Sequence, residues 1–316
     1  MNQTNTAFPY PAYAGKLAHT YSIVARDPAT GEMGAAVQSH WFSVGRLAIW
    51  TEAGVGAIAT QAFVNCMLGQ QGLMLLREGR SAHEVVQDVL KADDGRDMRQ
   101  LAIIDAHGQV AAWTGNGCIP EAGHLRGENF SVQANLMLNE TVWPAMADAF
   151  QHAGGPLAER MLVALEAAQH AGGDLRGQQA AALVVVRGES TGKLWEDRLI
   201  DLRIDDHPTP LHELRRLLSV QRAYHYMNAG DLAIERHDVA TAFREYDTAQ
   251  RMLPENLEIK YWHAVSLANI GRVEESLPIF ALVFERDAHW KILTKRLKKI
   301  GMLQIGHEHF EKILVC

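Results

Sequence analysis

The stretch HTYSIVARDPATGEMGAAVQSHWFSVG, residues 19–45, decides the reading of the fold. Two runs of β-forming residues, TYSIVAR (20–26) and MGAAVQS (33–39), flank DPATGE. Pro28 and Gly31 in that link are turn formers with fixed dihedral roles, so the segment reads as an antiparallel hairpin. Thr20 stands where the regular structure begins. A hydroxyl residue at the start of a half-buried strand is ordinary inside a chain. It changes character if it becomes the chain terminus. One residue then carries both a nucleophilic hydroxyl and an α-amine that titrates near about 7.7–8, close enough to neutrality to take the hydroxyl proton.

The pattern continues outward from this hairpin. Runs LAIWTE (47–52) and VGAIATQ (55–61) meet at Ala53-Gly54, a second hairpin. Two helices follow, CMLGQQGLMLLREG (66–79) ending at Gly79 and SAHEVVQDVLKAD (81–93) opening on the capping box Ser81/Glu84. QLAIIDAHGQVAAWTG (100–115) alternates in polarity on both sides of His107-Gly108, a third hairpin. A strand is expected near 130–135, then helices over 141–152 and 156–171, the second opening on Pro156 and closed by Gly172-Gly173. Strands AALVVVR (181–187) and LIDLRID (199–205) follow, the valine run suiting a strand buried on both faces. Helices arriving in pairs between antiparallel hairpins do not fit a parallel, doubly wound sheet, whose strands need single crossovers. They fit an α+β, four-layer αββα sandwich of two stacked antiparallel sheets with a helix pair on each outer face.

Beyond residue 210 the pattern is helical throughout. Positions align at a spacing of 34, from 242 to 276: Ala242 with Ser276, Tyr246 with Phe280, Gly230 with Ala264, Ala249 with Val283, with Pro254 closing the first segment. Small, aromatic and proline positions at this period are the tetratricopeptide signature, and two such units are few to stand alone. The expected organisation is a mobile or extended leader (1–19), a sandwich domain (20–210) and a helical tetratricopeptide-like domain (211–316).

The bulk numbers exclude several classes. A chain of 316 residues with a net charge of −7 and 47% apolar residues gives no electrostatic footprint for nucleic acid. The basic run KILTKRLKK (291–299) reads as a solvated helix face. No stretch reaches the ~20 apolar residues of a membrane span, and the N-terminus lacks a signal-peptide pattern. Cys66, Cys118 and Cys316 are too scattered for a disulfide framework or zinc site, so a reducing cytoplasm is the expected compartment. Phosphate-binding loops and HExxH are absent from the sequence, no nucleophile elbow is expected, and neither is a cofactor or metal.

The blocks TYSIVARDPATGEMGAAVQSHWFSVG, AGVGAIATQAF, RQLAIIDAHGQVAAWTG, CIPEAGH, SVQANLM and GGDLRGQQAAALVVVR closely resemble the family catalogued as domain of unknown function 1028. That family is regarded as a branch of the N-terminal nucleophile hydrolases. The resemblance spans about residues 19–218 and implies the sandwich fold; hydrolysis of an amide bond follows from it more weakly. It places Thr20 where such enzymes keep their nucleophile. Family members usually begin near that position, whereas this chain has 19 residues in front, so the His19–Thr20 bond must be cut, by the chain itself or by a protease. By strand order, Ser39, His40 and Arg46 flank the nucleophile. Arg46 is a candidate to depress the α-amine pKa or to clamp a carboxylate. Asn135 and Asn65 are candidate oxyanion donors, Asn65 doubling as a helix N-cap. Asp174 is a candidate substrate contact, with an ion pair to Arg176 shaping the GGDLRG loop as the other reading. His124 is a candidate substrate contact, and Gln61 and Gln133 are expected to make backbone hydrogen bonds inside the sandwich.

Two functions follow. One is an amidohydrolase acting on a small amide or peptide once Thr20 is exposed. The other is a catalytically silent binding protein whose helices 219–316 hold a protein partner. Association between copies of the chain is expected in either case. Reaction at Ser22 or Ser39 instead of Thr20 is a third reading, for which only His40 beside Ser39 speaks.

Overall fold

The computed structural model describes residues 16–316. The chain divides into two compact units between Leu217 and Leu218. The first runs β1 (Lys16–Ala18), β2 (Thr20–Arg26), β3 (Met33–Ser39), α1 (Gly45–Ala48), β4 (Ile49–Glu52) and β5 (Gly56–Val64). Helices α2 (Cys66–Arg77) and α3 (Ala82–Lys91) follow, then β6 (Arg99–Asp105), β7 (Val110–Thr114), β8 (Gly123–Gly127) and β9 (Phe130–Ala134). Next come α4 (Val142–His152), α5 (Leu157–His170), β10 (Ala180–Val186), α6 (Leu194–Asp197), β11 (Arg198–Ile204) and the start of α7 (Pro210–Glu235).

The strands form two antiparallel sheets. One is ordered β1-β5-β6-β7 with β4 also on β5; the other is ordered β11-β10-β3-β2-β9-β8. The hairpin that opened the sequence reading lies at the centre of the second sheet, with Thr20 opposite Ser39 and Arg26 opposite Met33. Period-2 alternation sends Val24, Ala35 and Val37 toward Ala57, Ala59, Ala102 and Ile104 of the other sheet, and this layer is the main core. On the far side of the first sheet, Ile58, Leu101 and Ile103 pack on Leu68, Leu76, Val85 and Val89 of α2 and α3. α5 covers the second sheet so closely that a Cβ at Gly34 would lie 2.6 Å from the Met161 methyl group. The four-layer order α/β/β/α follows.

The Ser81/Glu84 capping box is present, and β10 is buried along its whole length between β3 and β11. Three local differences from the sequence reading have simple causes. Leu47 and Ala48 belong to α1 rather than to a strand, so the hairpin partner of β5 begins only at Ile49. Strand β8 was missed because GHLRG offers glycines and charge where alternation is sought; register with β9 makes it a strand. Residues 16–18, read as part of a mobile or extended leader, pair with Ala62–Val64 of β5. The rest of that leader lies outside the described residues.

The second unit continues α7 and adds α8 (Val239–Met252), α9 (Leu257–Asn269), α10 (Val273–Arg286), α11 (His289–Lys299) and α12 (His307–Val315). The aligned positions Ala242, Tyr246, Ala249, Ala264, Ser276, Phe280 and Val283 are all buried. The basic run lies on α11, which buries Thr294 and Leu297 and turns Lys295, Arg296 and Lys299 to solvent. Among the described residues no helix is long and apolar enough to cross a membrane.

Candidate functional site

At one end of the space between the sheets the apolar core gives way to polar residues. Thr20, Ser22, Ser39, Gln61, Gln100, Gln133 and Asn135 are all fully buried there. The first six are inward positions of their strands and Asn135 directly follows β9, so the hydroxyl and amide groups need partners, and burial without them would cost about 1–3 kcal/mol apiece.

The partners form one network whose orientation can be read from its fixed ends. Gln100 Nε2 faces the main-chain carbonyls of Gly123 (3.1 Å) and Ala134 (2.9 Å), which can only accept. Its Oε1 is therefore the acceptor for Gln61 Nε2 at 2.7 Å and Asn135 Nδ2 at 2.9 Å. Gln61 Oε1 in turn accepts from Ser22 Oγ, and Ser22 Oγ accepts from Gln133 Nε2, both at 2.6 Å. Ser22 is thereby engaged as donor and acceptor, which argues against it as a nucleophile.

The network converges on Thr20, and further donors hold the peptide bond before it. The Thr20 carbonyl accepts from the Asn135 main-chain N–H (3.1 Å) and from Gln61 Nε2 (3.1 Å). The His19 carbonyl accepts from Ser39 Oγ at 2.6 Å and from Arg176 Nη2 at 2.8 Å. Arg176 is held in that pose by Asp174, whose carboxylate also receives its Nε (3.0 Å) and the Arg176 and His40 main-chain N–H groups. Two donors on one carbonyl, one of them cationic, is the arrangement that stabilises an oxyanion when that carbonyl carbon is attacked.

The imidazole of His19 is buried too, with its Nδ1 2.8 Å from Asn135 Oδ1 and its ring edge-on to Phe63. Because Asn135 Nδ2 is committed to Gln100, Asn135 offers an acceptor, and His19 carries its proton on Nδ1. Burial pulls its pKa below the ordinary value; Arg176 acts in the same direction, and Asn135 and Asp174 oppose it. At the other end of the network Thr114 Oγ1 accepts from Gln100 Nε2 and lies 2.8 Å from His124 Nδ1. The two side chains share a hydrogen bond, and burial lowers the His124 pKa, with Arg126 adding to the effect.

Of the residues singled out from sequence, Thr20, Ser39, Asn135 and Asp174 stand around this bond, and His124 joins through Thr114 and Gln100. Gln61, Gln133, Ser22 and Arg176 belong to the network as well, whereas Arg46, His40 and Asn65 stand apart. Arg46 is exposed on α1, and its guanidinium makes no hydrogen bond or ion pair with a described residue, because residues 45–48 turn into a helix instead of continuing the hairpin. His40 is exposed and contributes only its main-chain N–H. Asn65 caps α2, its side chain accepting from the Met67 N–H. His19, Gln100 and Thr114 were not singled out from sequence. The signal for Gln100 was available: it breaks an inward apolar alternation with Ala102 and Ile104. The Asp174–Arg176 pair was expected, but its reach to His19 was not. Among the described residues no group of three or more His, Cys, Asp or Glu side chains is placed to hold a metal ion.

Comparison with known proteins adds to this geometry. A family model described as "Family of unknown function (DUF1028)" matches residues 20–214. Protein SPO2555 from Silicibacter pomeroyi, whose crystal structure is assigned to the same family, is 31% identical with a TM-score of 0.58, the match covering 64% of this chain and 88% of that one. Anbu, an ancestral beta-subunit from Yersinia bercovieri, matches 62% of this chain and 92% of its own at 14% identity, with a TM-score of 0.30, too low to carry an argument. No curated protein matches at a significant level.

Proposed function

The chain belongs to the DUF1028 family, whose model spans more than half of it, and on that premise we propose that it is the precursor of an amide hydrolase with Thr20 as nucleophile. The reading rests on one observation: the carbonyl immediately before Thr20 is gripped by Ser39 and Arg176. Attack by Thr20 Oγ on the His19 carbonyl carbon closes a five-membered ring, with the developing oxyanion between those two donors. The C–N bond then breaks, the nitrogen takes a proton, and the acyl group is left as an ester on Oγ. Water hydrolyses the ester, releasing residues 1–19 as an acid and leaving Thr20 with a free α-amine. That amine then serves as base for the same hydroxyl in attack on a small amide or peptide.

The experiment is the intact mass of the purified full chain followed over time. A fragment beginning at Thr20, abolished by Thr20→Ala, is the expected result; an intact chain that nevertheless hydrolyses amides would overturn the mechanism. The second reading is a silent binding protein, with 219–316 holding a partner. It is favoured by the seat of residues 16–18 in the sheet, since a permanent strand there keeps the Thr20 nitrogen acylated. That reading predicts an intact chain without hydrolytic activity.

A further inference from the structure

If Thr20 acts first on its own chain, residues 16–19 are the first acyl group the site holds, and their seat describes its acyl side. β1 lies antiparallel on Ala62–Val64 of β5, on the flank of β5 whose other stretch, Gly56–Ala59, is covered by β4. β6 occupies the opposite flank. Departure of residues 1–19 therefore uncovers the Ala62–Val64 edge of β5 on the β1 side, bounded by β4. An extended peptide satisfies such an edge by strand addition, whatever its side chains.

Selectivity comes from the pocket of residue 19. Its ring is 2% exposed, lies edge-on to Phe63 with centroids 5.4 Å apart, and hydrogen-bonds to Asn135 Oδ1. The network fixes that group as an acceptor, because Asn135 Nδ2 is spent on Gln100 Oε1. The other ring nitrogen, Nε2, has no hydrogen-bond partner among the described residues. The pocket thus offers one acceptor and an aromatic wall. An aliphatic side chain would leave Asn135 Oδ1 unsatisfied, and an ammonium group would be buried with Arg176 close by and no carboxylate of its own. A flat ring with one N–H meets both demands.

Resting on the Thr20 chemistry proposed above, we infer that the matured site cuts peptides that add as a strand to β5 and carry histidine immediately before the severed bond. Thr20 Oγ attacks the histidine carbonyl, the α-amine takes the hydroxyl proton and passes it to the leaving amine, and water hydrolyses the ester to free the peptide acid and restore Thr20.

Two measurements on the full chain test this. In the first, self-cleavage is timed for the wild type and for His19→Ala, His19→Phe and His19→Gln. Alanine is expected to slow it at least tenfold, with phenylalanine (ring without donor) and glutamine (donor without ring) between. In the second, the self-cleaved wild-type protein is given the synthetic peptide of residues 16–22, KLAHTYS, and versions with alanine, phenylalanine or lysine replacing histidine. A kcat/KM at least tenfold higher for the histidine peptide is expected, and this arm needs no variant to fold. A wild type that cleaves itself but treats all these peptides alike overturns the histidine preference and leaves Thr20 chemistry standing. A wild type that never cleaves overturns both.

Discussion

The guanidinium of Arg176 donates to the main-chain carbonyl of His19 at 2.8 Å, across 157 positions of sequence. It is aimed there by Asp174, whose side chain is fully buried and holds Arg176 through Nε and Nη2. Removing the arginine altogether would strand a buried carboxylate, at about 3–5 kcal/mol, so Arg176→Ala confounds folding with chemistry. Arg176→Lys is the informative change, keeping a charge beside Asp174 while losing the planar fork that serves two acceptors. Self-cleavage should slow by roughly 10²-fold, the scale of one lost oxyanion donor, with the thermal midpoint little moved. A time course of intact mass, read beside a melt, checks it. Cleavage at the wild-type rate would remove Arg176 from the reaction.

Gln100 is the junction of the buried network: its Oε1 accepts from Gln61 and Asn135, and its Nε2 serves Thr114. Gln100→Leu is close in volume, so no cavity offsets the reading. It leaves the Gln61 and Asn135 amides short of an acceptor in a region with no exposure. At about 1–3 kcal/mol per orphaned group, the expected loss for the two is about 2–6 kcal/mol, visible as a lower urea midpoint with an unchanged slope. The same variant frees Asn135 to rotate, so its self-cleavage should slow as well.

The sandwich was legible because its signals are local: turn residues at Pro28 and Gly31, a capping box at Ser81, and period-2 runs in β2, β3 and β6. The site was legible only in part. Thr20 and Ser39 face each other through hairpin register, which a turn between two strands fixes. The pairing of His19 with Asn135, or of Arg176 with the His19 carbonyl, depends on contacts 116 and 157 residues apart, which no local pattern encodes. Arg46 was misplaced for a local reason: the apolar run LAIWTE suits a strand, but Val44, Gly45 and Ala48 pack into the inter-sheet core as a single helical turn. β8 was invisible because its pairing with β9, and not its composition, makes it a strand.

His124 links stability to pH. Burial holds its pKa below the ordinary 6.5, with Arg126 acting the same way, and its Nδ1 shares a hydrogen bond with Thr114. The folded state therefore binds a proton less readily than the unfolded one. Its stabilising contribution is complete above pH 6.5 and is lost as pH falls through the window between that value and the lower folded pKa. His19, buried beside Asn135, Arg176 and Asp174, shifts in the same direction. Unfolding midpoints should be level above about pH 7 and decline toward pH 5. His124→Gln keeps a hydrogen-bonding group for Thr114 but cannot titrate, so it should flatten part of that decline. An unchanged slope would show that His124 is already free to protonate in the folded chain.

In the helical unit, Gly230 sits within α7 against the ring of Tyr246. Replacing a glycine inside a helix by alanine ordinarily stabilises by about 1 kcal/mol. Here the added methyl group would lie 2.9 Å from Tyr246 Cε1 and 3.0 Å from Cδ1. The ring cannot retreat, since Tyr246 is fully buried and its hydroxyl is held by Asp231 at 2.5 Å and Ser266 at 2.9 Å. Overpacking of this kind costs about 1–3 kcal/mol, so the clash outweighs the propensity gain, and Gly230→Ala should lower the thermal midpoint of this unit. Pairing it with Tyr246→Leu, which removes the ring, should turn the same glycine substitution neutral or stabilising relative to Tyr246→Leu alone. A stabilising Gly230→Ala in the wild-type background would mean that α7 and α8 can slide apart at this crossing.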